Sequence, residues 1–293
     1  MILWATMSEP ISLKTASEKF TEFLRSQKRA SATILAYGID IAQLTKFMAG
    51  KGISVVTAVN QQVLEDFKTD LNAKGYTAKS ISRKINSLKT FFHFLKIEGF
   101  TETDPAALVI YPKLETKPPR ILSKLEYRAL RDVCRGDFRI SAVVELMLQT
   151  GVRISEAANL KLEDLKENEI YIRPFESHEG RNIPLNKAAK EALEKYLSER
   201  PKVKEKSIFV TKTGHHFLIR NIRSSIERYF KMADIKDAKV NDLRHTWIFH
   251  QLAAGTPLVT ISKFAGHKRL STTEKYLKFI GEKKQGTVKL KEL

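Results

Sequence analysis

The sequence predicts a mainly α-helical chain in two domains, the second of which holds a small antiparallel β-sheet. Three observations carry that expectation. Apolar residues recur at helical spacing from Leu13 to about Glu98, a proline-bearing stretch follows, and two short alternating segments, EIYIR and RNIPL, stand close together further on. The length of 293 residues suits one large domain or two ordinary ones.

Residues 1–12 show no strong periodicity and are expected to form a flexible tail. The opening MILWATM is too short for a signal peptide and lacks a basic flank. Residues 13–100 then read as four helices. Their apolar stripes run through Phe20, Phe23 and Leu24; Ile34, Tyr37, Ile41 and Leu44; Val63, Leu64, Phe67 and Leu71; and Ile81, Ile85, Leu88, Phe91, Phe92 and Leu95. Ser31 and Thr77 are placed to cap the second and fourth helices, and Gly50, Gly52, Gly75 and Gly99 to end or separate segments. Residues 101–120 carry Pro105, Pro112, Pro118 and Pro119, which fix φ and remove backbone donors, so a linker is expected there. A second, larger domain is expected over 121–284. In it Glu169–Arg173 and Arg181–Leu185 read as strands joined by a turn around Phe175–Gly180, and Ser207–Val210 reads as a candidate third strand. Residues 285–293 form a C-terminal tail in which Val288, Leu290 and Leu293 alternate with polar residues.

The formal net charge is +18, which calls for a polyanionic partner. A membrane is the poorer alternative, because no apolar run reaches the roughly 18–20 residues a span needs. With 42% hydrophobic and 29% charged residues the chain has the means to bury a core. Its single cysteine, Cys134, excludes an internal disulfide and a cysteine-based zinc cluster, and reads as a small buried hydrophobe. His215 and His216 have no Cys or carboxylate partner at ligand spacing, so no metal and no cofactor is expected. A cytoplasmic, nucleic-acid-facing protein is the expectation.

Four short segments hold the residues suited to chemistry. They are Thr150-Gly151-Val152-Arg153-Ile154-Ser155-Glu156, Asn241-Asp242-Leu243-Arg244-His245, Gly266-His267, and Thr272-Thr273-Glu274-Lys275-Tyr276. Two arginines can grip the nonbridging oxygens of a phosphodiester and stabilise the charge of a pentavalent transition state. A histidine adds a donor or moves a proton, and a tyrosine can serve as nucleophile. Glu156, three residues after Arg153, is placed to orient its guanidinium.

In this order the segments resemble the catalytic signature of the tyrosine recombinases, the phage integrase family: T-G-x-R-x-S-E, H-x-L-R-H, G-H and T-T-x-x-Y. The family's tyrosine follows the G-H histidine by nine residues, and Tyr276 stands nine after His267. The resemblance reaches the rest of the chain through Ser31, Thr33, Ile34, Tyr37, Asp40 and Phe47, and through Asp104, Pro105, Pro112, Lys113, Leu122, Ser123 and Glu126. It implies an N-terminal SAM-like core-binding domain, a C-terminal catalytic domain of Xer-like type, and a double-stranded DNA substrate. It further implies a homotetramer assembled on two DNA sites, with the C-terminal tail docking on a neighbour. Arg153, Arg244 and His267 are then the phosphate-binding set and Tyr276 the nucleophile that forms a 3′-phosphotyrosyl bond. His245 is a supporting residue. Lys79, Arg83 and Lys84 in the first domain, with Arg220 and Arg223 in the second, are candidate DNA contacts.

Two positions depart from the family pattern. Its hairpin lysine, eight residues before the second-strand proline, corresponds by count from Pro184 to Glu176, with His178 or Arg173 as possible substitute acids. Asn241 stands where the family has the first histidine of H-x-x-R; it can donate a hydrogen bond but carries no proton. These departures motivate a second reading, a relative that occupies DNA sites but cleaves poorly. A third is a type IB topoisomerase-like nicking enzyme.

Overall fold

The computed structural model describes residues 11–115, 118–175 and 178–281. The chain divides into two compact units, with the boundary between residues 116 and 117. The chain is mostly helical and, among the described residues, its only sheet has two strands, as the sequence predicts.

The first unit holds α1 (Leu13–Ser26), α2 (Ser31–Ala49), α3 (Gln61–Ala73) and α4 (Ala78–Ile97). Its core is aromatic. Phe20 meets Phe91 edge-on at 5.2 Å, and Phe47 meets Phe67 at the same distance. The Thr77 hydroxyl caps α4 by accepting from Ser80 N at 3.2 Å. Ser31 does not cap α2: Ala30 holds the cap position and Ser31 is the first helical residue. Ala106 and Val109 are buried in this same core, so the first half of the proline-bearing stretch packs on the bundle rather than running free.

One candidate DNA contact is turned inward. Lys84 is buried, and its ammonium donates to Asp40 at 2.9 Å and to Gln43 at 2.6 Å. Stripping a partner from a buried carboxylate costs about 3–5 kcal/mol, more than a surface ion pair returns. Lys84 is therefore held by Asp40 and is not available to a phosphate. Arg83, on the exposed face, also pairs with Asp40. Lys79 is exposed at the start of α4.

The second unit runs α5 (Lys124–Cys134), α6 (Phe138–Thr150), α7 (Ile154–Asn159), β1 (Glu169–Ile172), β2 (Arg181–Pro184) and α8 (Lys187–Glu199). It continues through α9 (Ile219–Met232), α10 (Val240–Ala253), α11 (Leu258–Ala265), α12 (Ser271–Glu274) and α13 (Leu277–Gly281). Helix α6 is buried along most of its length and lies in the middle of the core, its one buried carboxylate, Glu145, paired with Arg131 at 2.6 Å. Burial holds the Cys134 thiol up at about 12, so it behaves as a small apolar group. Strands β1 and β2 pair antiparallel, Ile170 opposite Ile183 and Ile172 opposite Arg181.

The expected third strand is absent. Ile208, Phe209 and Val210 are buried, but scattered partners meet their backbone. Ile208 N donates to Leu160 O at 2.8 Å, Val210 N to the Tyr196 hydroxyl at 3.0 Å, and Phe217 N to Phe209 O at 3.2 Å. Burial made the segment apolar without giving it a neighbouring strand. Arg220 and Arg223 are exposed on the polar face of α9, opposite the buried Ile222 and Ile226.

Candidate active site

Two glycine turns, helix α10, strand β2 and the junction of α12 and α13 build the site. Helix α6 ends at Gly151, whose φ of 67° is left-handed. A Cβ at this position would lie 2.1 Å from Trp247 Cε3, so only glycine lets α6 close against α10. The turn delivers Arg153 to the start of α7, where its backbone N–H donates to Glu156 at 2.8 Å. Helix α11 likewise ends in a left-handed glycine, Gly266, with His267 next. A Cβ there would sit 2.7 Å from Arg181 Nη1.

The last carbonyls of α11 carry the negative end of its dipole, and three guanidinium groups converge on them. Arg153 donates to Gly266 O at 2.8 Å and to Ala265 O at 3.3 Å. Arg181 donates to Phe264 O at 2.8 Å. Arg244, buried on α10, donates to Ala265 O at 2.6 Å and also to Gly151 O. Glu156 joins two of them, pairing with Arg153 at 2.9 Å and with Arg181 at 3.0 and 2.8 Å. Burial acts to raise the Glu156 carboxyl, but Arg181 and Arg153 outweigh it and hold the group below its usual range. Burial and the neighbouring Arg153 push Arg244 down to about 9, which leaves it charged at neutral pH.

His267 lies beside this cluster, its Nδ1 2.7 Å from the hydroxyl of buried Thr273. Burial, then the charges of Arg244, Arg153 and Arg181, push it down to about 4. The free protein thus holds a neutral imidazole at neutral pH. The unfolded chain takes up this proton near 6.5 and the folded one near 4, so the stability that neutral His267 contributes is present above 6.5 and is lost as pH falls through that window. An anion seated among the arginines opposes the same repulsion. In an NMR titration His267 is expected to titrate near 4 when free and at distinctly higher pH with saturating DNA. A midpoint near 6.5 in both states would place the ring outside the cluster.

Tyr276 lies between α12 and α13 with its ring buried against Trp247, Ile248, Ile261 and Ala265. Burial raises its phenol to about 12, although Arg244 acts in the other direction. Its hydroxyl is in hydrogen-bond contact with His245 Nδ1, and His245 Nε2 faces Asn241 Nδ2 at 2.8 Å.

Of the residues singled out by sequence, Arg153, Glu156, Arg244, His245, His267, Asn241 and Tyr276 are all brought together. His178 joins them at the edge, lining one cleft of about 470 Å³ with Arg181, His267 and Lys268. Burial, followed by Arg153 and Lys268, lowers its basicity. Glu176 lies outside the described residues. Arg173 is not a free acid: its guanidinium is bound to Glu163 and to Asp164, at 2.8 Å to the latter, and these carboxylates hold its proton more tightly. The sequence reading missed Arg181. Its signal was present, since strand alternation puts residue 181 on the same inward face as Ile183, and an inward arginine requires a buried acid.

Residues 120–280 match the model of the phage integrase family, and residues 18–99 match that of the phage integrase N-terminal SAM-like domain. A tyrosine recombinase XerC of Oceanobacillus iheyensis is 32% identical over 276 residues, which cover 88% of this chain and 90% of that protein. Among solved structures, a lambda integrase dimer bound to a core site superposes with a TM-score of 0.77 at 15% identity, covering 96% of this chain and 99% of the other. A lambda integrase tetramer bound to a Holliday junction gives 0.75 at 17% identity, with 88% and 78% covered. These two likenesses speak to fold, whereas the sequence matches speak to descent. The chain belongs to the phage integrase family of tyrosine recombinases.

Proposed function

We propose that the protein is a site-specific DNA recombinase that cuts and rejoins strands through a 3′-phosphotyrosyl intermediate. One observation carries the reading. Three arginines and His267 are gathered on the end of α11 within electrostatic reach of one another and, through Arg244, of the Tyr276 phenol. Like charges gather only where something anionic repays their repulsion. The α11 carbonyls and Glu156 do part of this in the free protein, and a phosphodiester completes it.

In this reading Arg153 and Arg244 hold the nonbridging oxygens, and Arg181 keeps Glu156 and α11 in register. The Tyr276 oxygen attacks phosphorus, and the 5′ oxygen leaves with a proton. Bond energy stays in the phosphotyrosyl ester, so a 5′ hydroxyl from a second strand reverses the step. The first unit is a DNA-binding domain and the second a catalytic domain. Lys79 and Arg83, with Arg220 and Arg223, contribute phosphate contacts that give affinity and register rather than sequence choice. The working form is a tetramer on two duplex sites, as the lambda integrase tetramer is on its junction.

Covalent trapping tests the reading. A nicked suicide duplex carrying the sequence that flanks the protein's own gene is expected to give an SDS-stable adduct, and unrelated DNA is not. Stable, specific binding without an adduct would favour a relative that only occupies its site. Relaxation of any supercoiled plasmid by a monomer would favour the topoisomerase-like reading. With no lysine on the hairpin among the described residues, His178 is the proposed acid for the 5′ oxygen. A 5′-bridging sulfur, whose leaving group needs no proton, is expected to restore cleavage to His178→Ala, and an unrelieved loss rejects this role.

A further inference from the structure

Asn241 and His245 sit one turn apart on α10 and face the same way. The amide nitrogen of Asn241 is 2.8 Å from His245 Nε2, and His245 Nδ1 touches the Tyr276 hydroxyl. Both nitrogens of one imidazole are thus occupied, one by an amide and the other by the nucleophile's oxygen. Asn241 is exposed, His245 half-buried and Tyr276 buried, so the chain of contacts runs from the surface to the phenol. The Asn241 amide nitrogen is turned to an imidazole.

We infer that His245 is a catalytic residue that accepts the Tyr276 proton during strand cleavage, and that Asn241 is the positioning residue that holds its ring. The inference rests on the strand-cleavage reading above. As the bond from Tyr276 Oη to phosphorus forms, the Oη–H bond breaks toward His245 Nδ1. The bond from phosphorus to the 5′ oxygen breaks, and that oxygen takes its proton from a separate donor, His178 or water. In rejoining, the attacking 5′ hydroxyl gives up its proton to that donor, and Oη leaves with the proton returned from Nδ1.

His267 is less suited to this transfer. Its Nδ1 is bonded to Thr273, and after burial the charges of Arg244, Arg153 and Arg181 oppose its taking up a proton. An imidazole that accepts at Nδ1 carries its own proton on Nε2 and needs an acceptor there. An amide presents oxygen or nitrogen after a half-turn of its terminal torsion, so Asn241 satisfies either tautomer of His245. The charged and titratable groups facing His245 are Asp242 and Arg244 on its own helix, His267 after α11, and Tyr276. Burial lowers its basicity and Arg244 adds to this against Asp242, so the ring is an uncharged acceptor at neutral pH.

The test uses the full chain on a suicide substrate that the unaltered protein converts to adduct, with single-turnover rates followed across the acid and neutral range. His245→Gln keeps a hydrogen bond to the phenol but takes no proton. It is expected to bind DNA normally and to form adduct about 10²–10⁴-fold more slowly. The loss should be equal on oxygen and on 5′-bridging sulfur substrates, because sulfur relieves only the leaving group. Asn241→Asp alters an exposed side chain and strengthens the base behind it, so the acid limb of its rate profile should move to higher pH. Three results overturn the inference: His245→Gln cleaving within a few-fold of the unaltered chain, a loss that bridging sulfur removes, or an acid limb that Asn241→Asp leaves in place. An unaltered protein that yields no adduct on any substrate rejects the cleavage reading itself.

Discussion

Tyr276→Phe is expected to abolish the covalent protein–DNA adduct while leaving DNA affinity near that of the unaltered chain. The two properties separate because the ring and the hydroxyl do different work. The ring packs against Trp247, Ile248, Ile261 and Ala265, and phenylalanine keeps those contacts. The hydroxyl makes one hydrogen bond, to His245, whose loss costs about 0.5–1.5 kcal/mol. The variant should therefore melt within a few degrees of the unaltered protein. Its arginines should still grip phosphate, since none of their hydrogen bonds described above involves residue 276. Denaturing gels of a suicide reaction read the adduct and gel-shift titrations read the affinity. An adduct that persists in Tyr276→Phe would mean that another side chain is the nucleophile.

Arg244→Ala is expected to lower the rate of adduct formation by at least about 10²–10³-fold, the usual effect of removing one preorganised donor from a developing oxyanion. DNA affinity should fall much less, because most phosphate contacts of such a protein lie outside the reacting centre. The position is also structural. Its guanidinium links Gly151 O at the end of α6 to Ala265 O at the end of α11. Truncation leaves Gly151 O short of this donor, worth about 1–3 kcal/mol if water does not reach it, while Ala265 O keeps its 3.3 Å bond from Arg153. A drop in thermal midpoint therefore accompanies the kinetic loss. Arg244→Lys separates the effects: an ammonium keeps the charge but cannot span both carbonyls and face a phosphate as a planar fork does. It should regain stability in part and cleavage hardly at all. Full cleavage by the lysine variant would show that charge alone suffices at this position.

The legibility of the sequence differed between pattern and pairing. The helices of the first unit were readable from apolar spacing because each buries one stripe against the same core. The two strands were readable from alternation. Motif residues such as Arg153 and His267 were readable because short turns carry them, and Gly151 and Gly266 mark those turns. Pairings between distant residues were not readable. Lys84 has the sequence look of a surface cation, and only its contact with Asp40, over forty residues away, makes it internal. Strand alternation marks Arg181 as inward, but its partners, Glu156 and Phe264, come from other elements and are not legible. Ser207–Val210 has the composition of a strand without the neighbour that would make it one. Asn241 is legible as a departure, and His245 one turn on is within its helical reach, but the contact of His245 with Tyr276 is not legible, since helical spacing alone does not say which face α10 turns toward residue 276.

The anchoring of three cations on residues 264–266 has a mechanical consequence. Because Arg153, Arg181 and Arg244 reach that turn from separate elements, it acts as a common hub. Displacing it by an ångström would slacken every spoke together. Damage nearby should then yield molecules that are either competent or inert, with few of middling vigour.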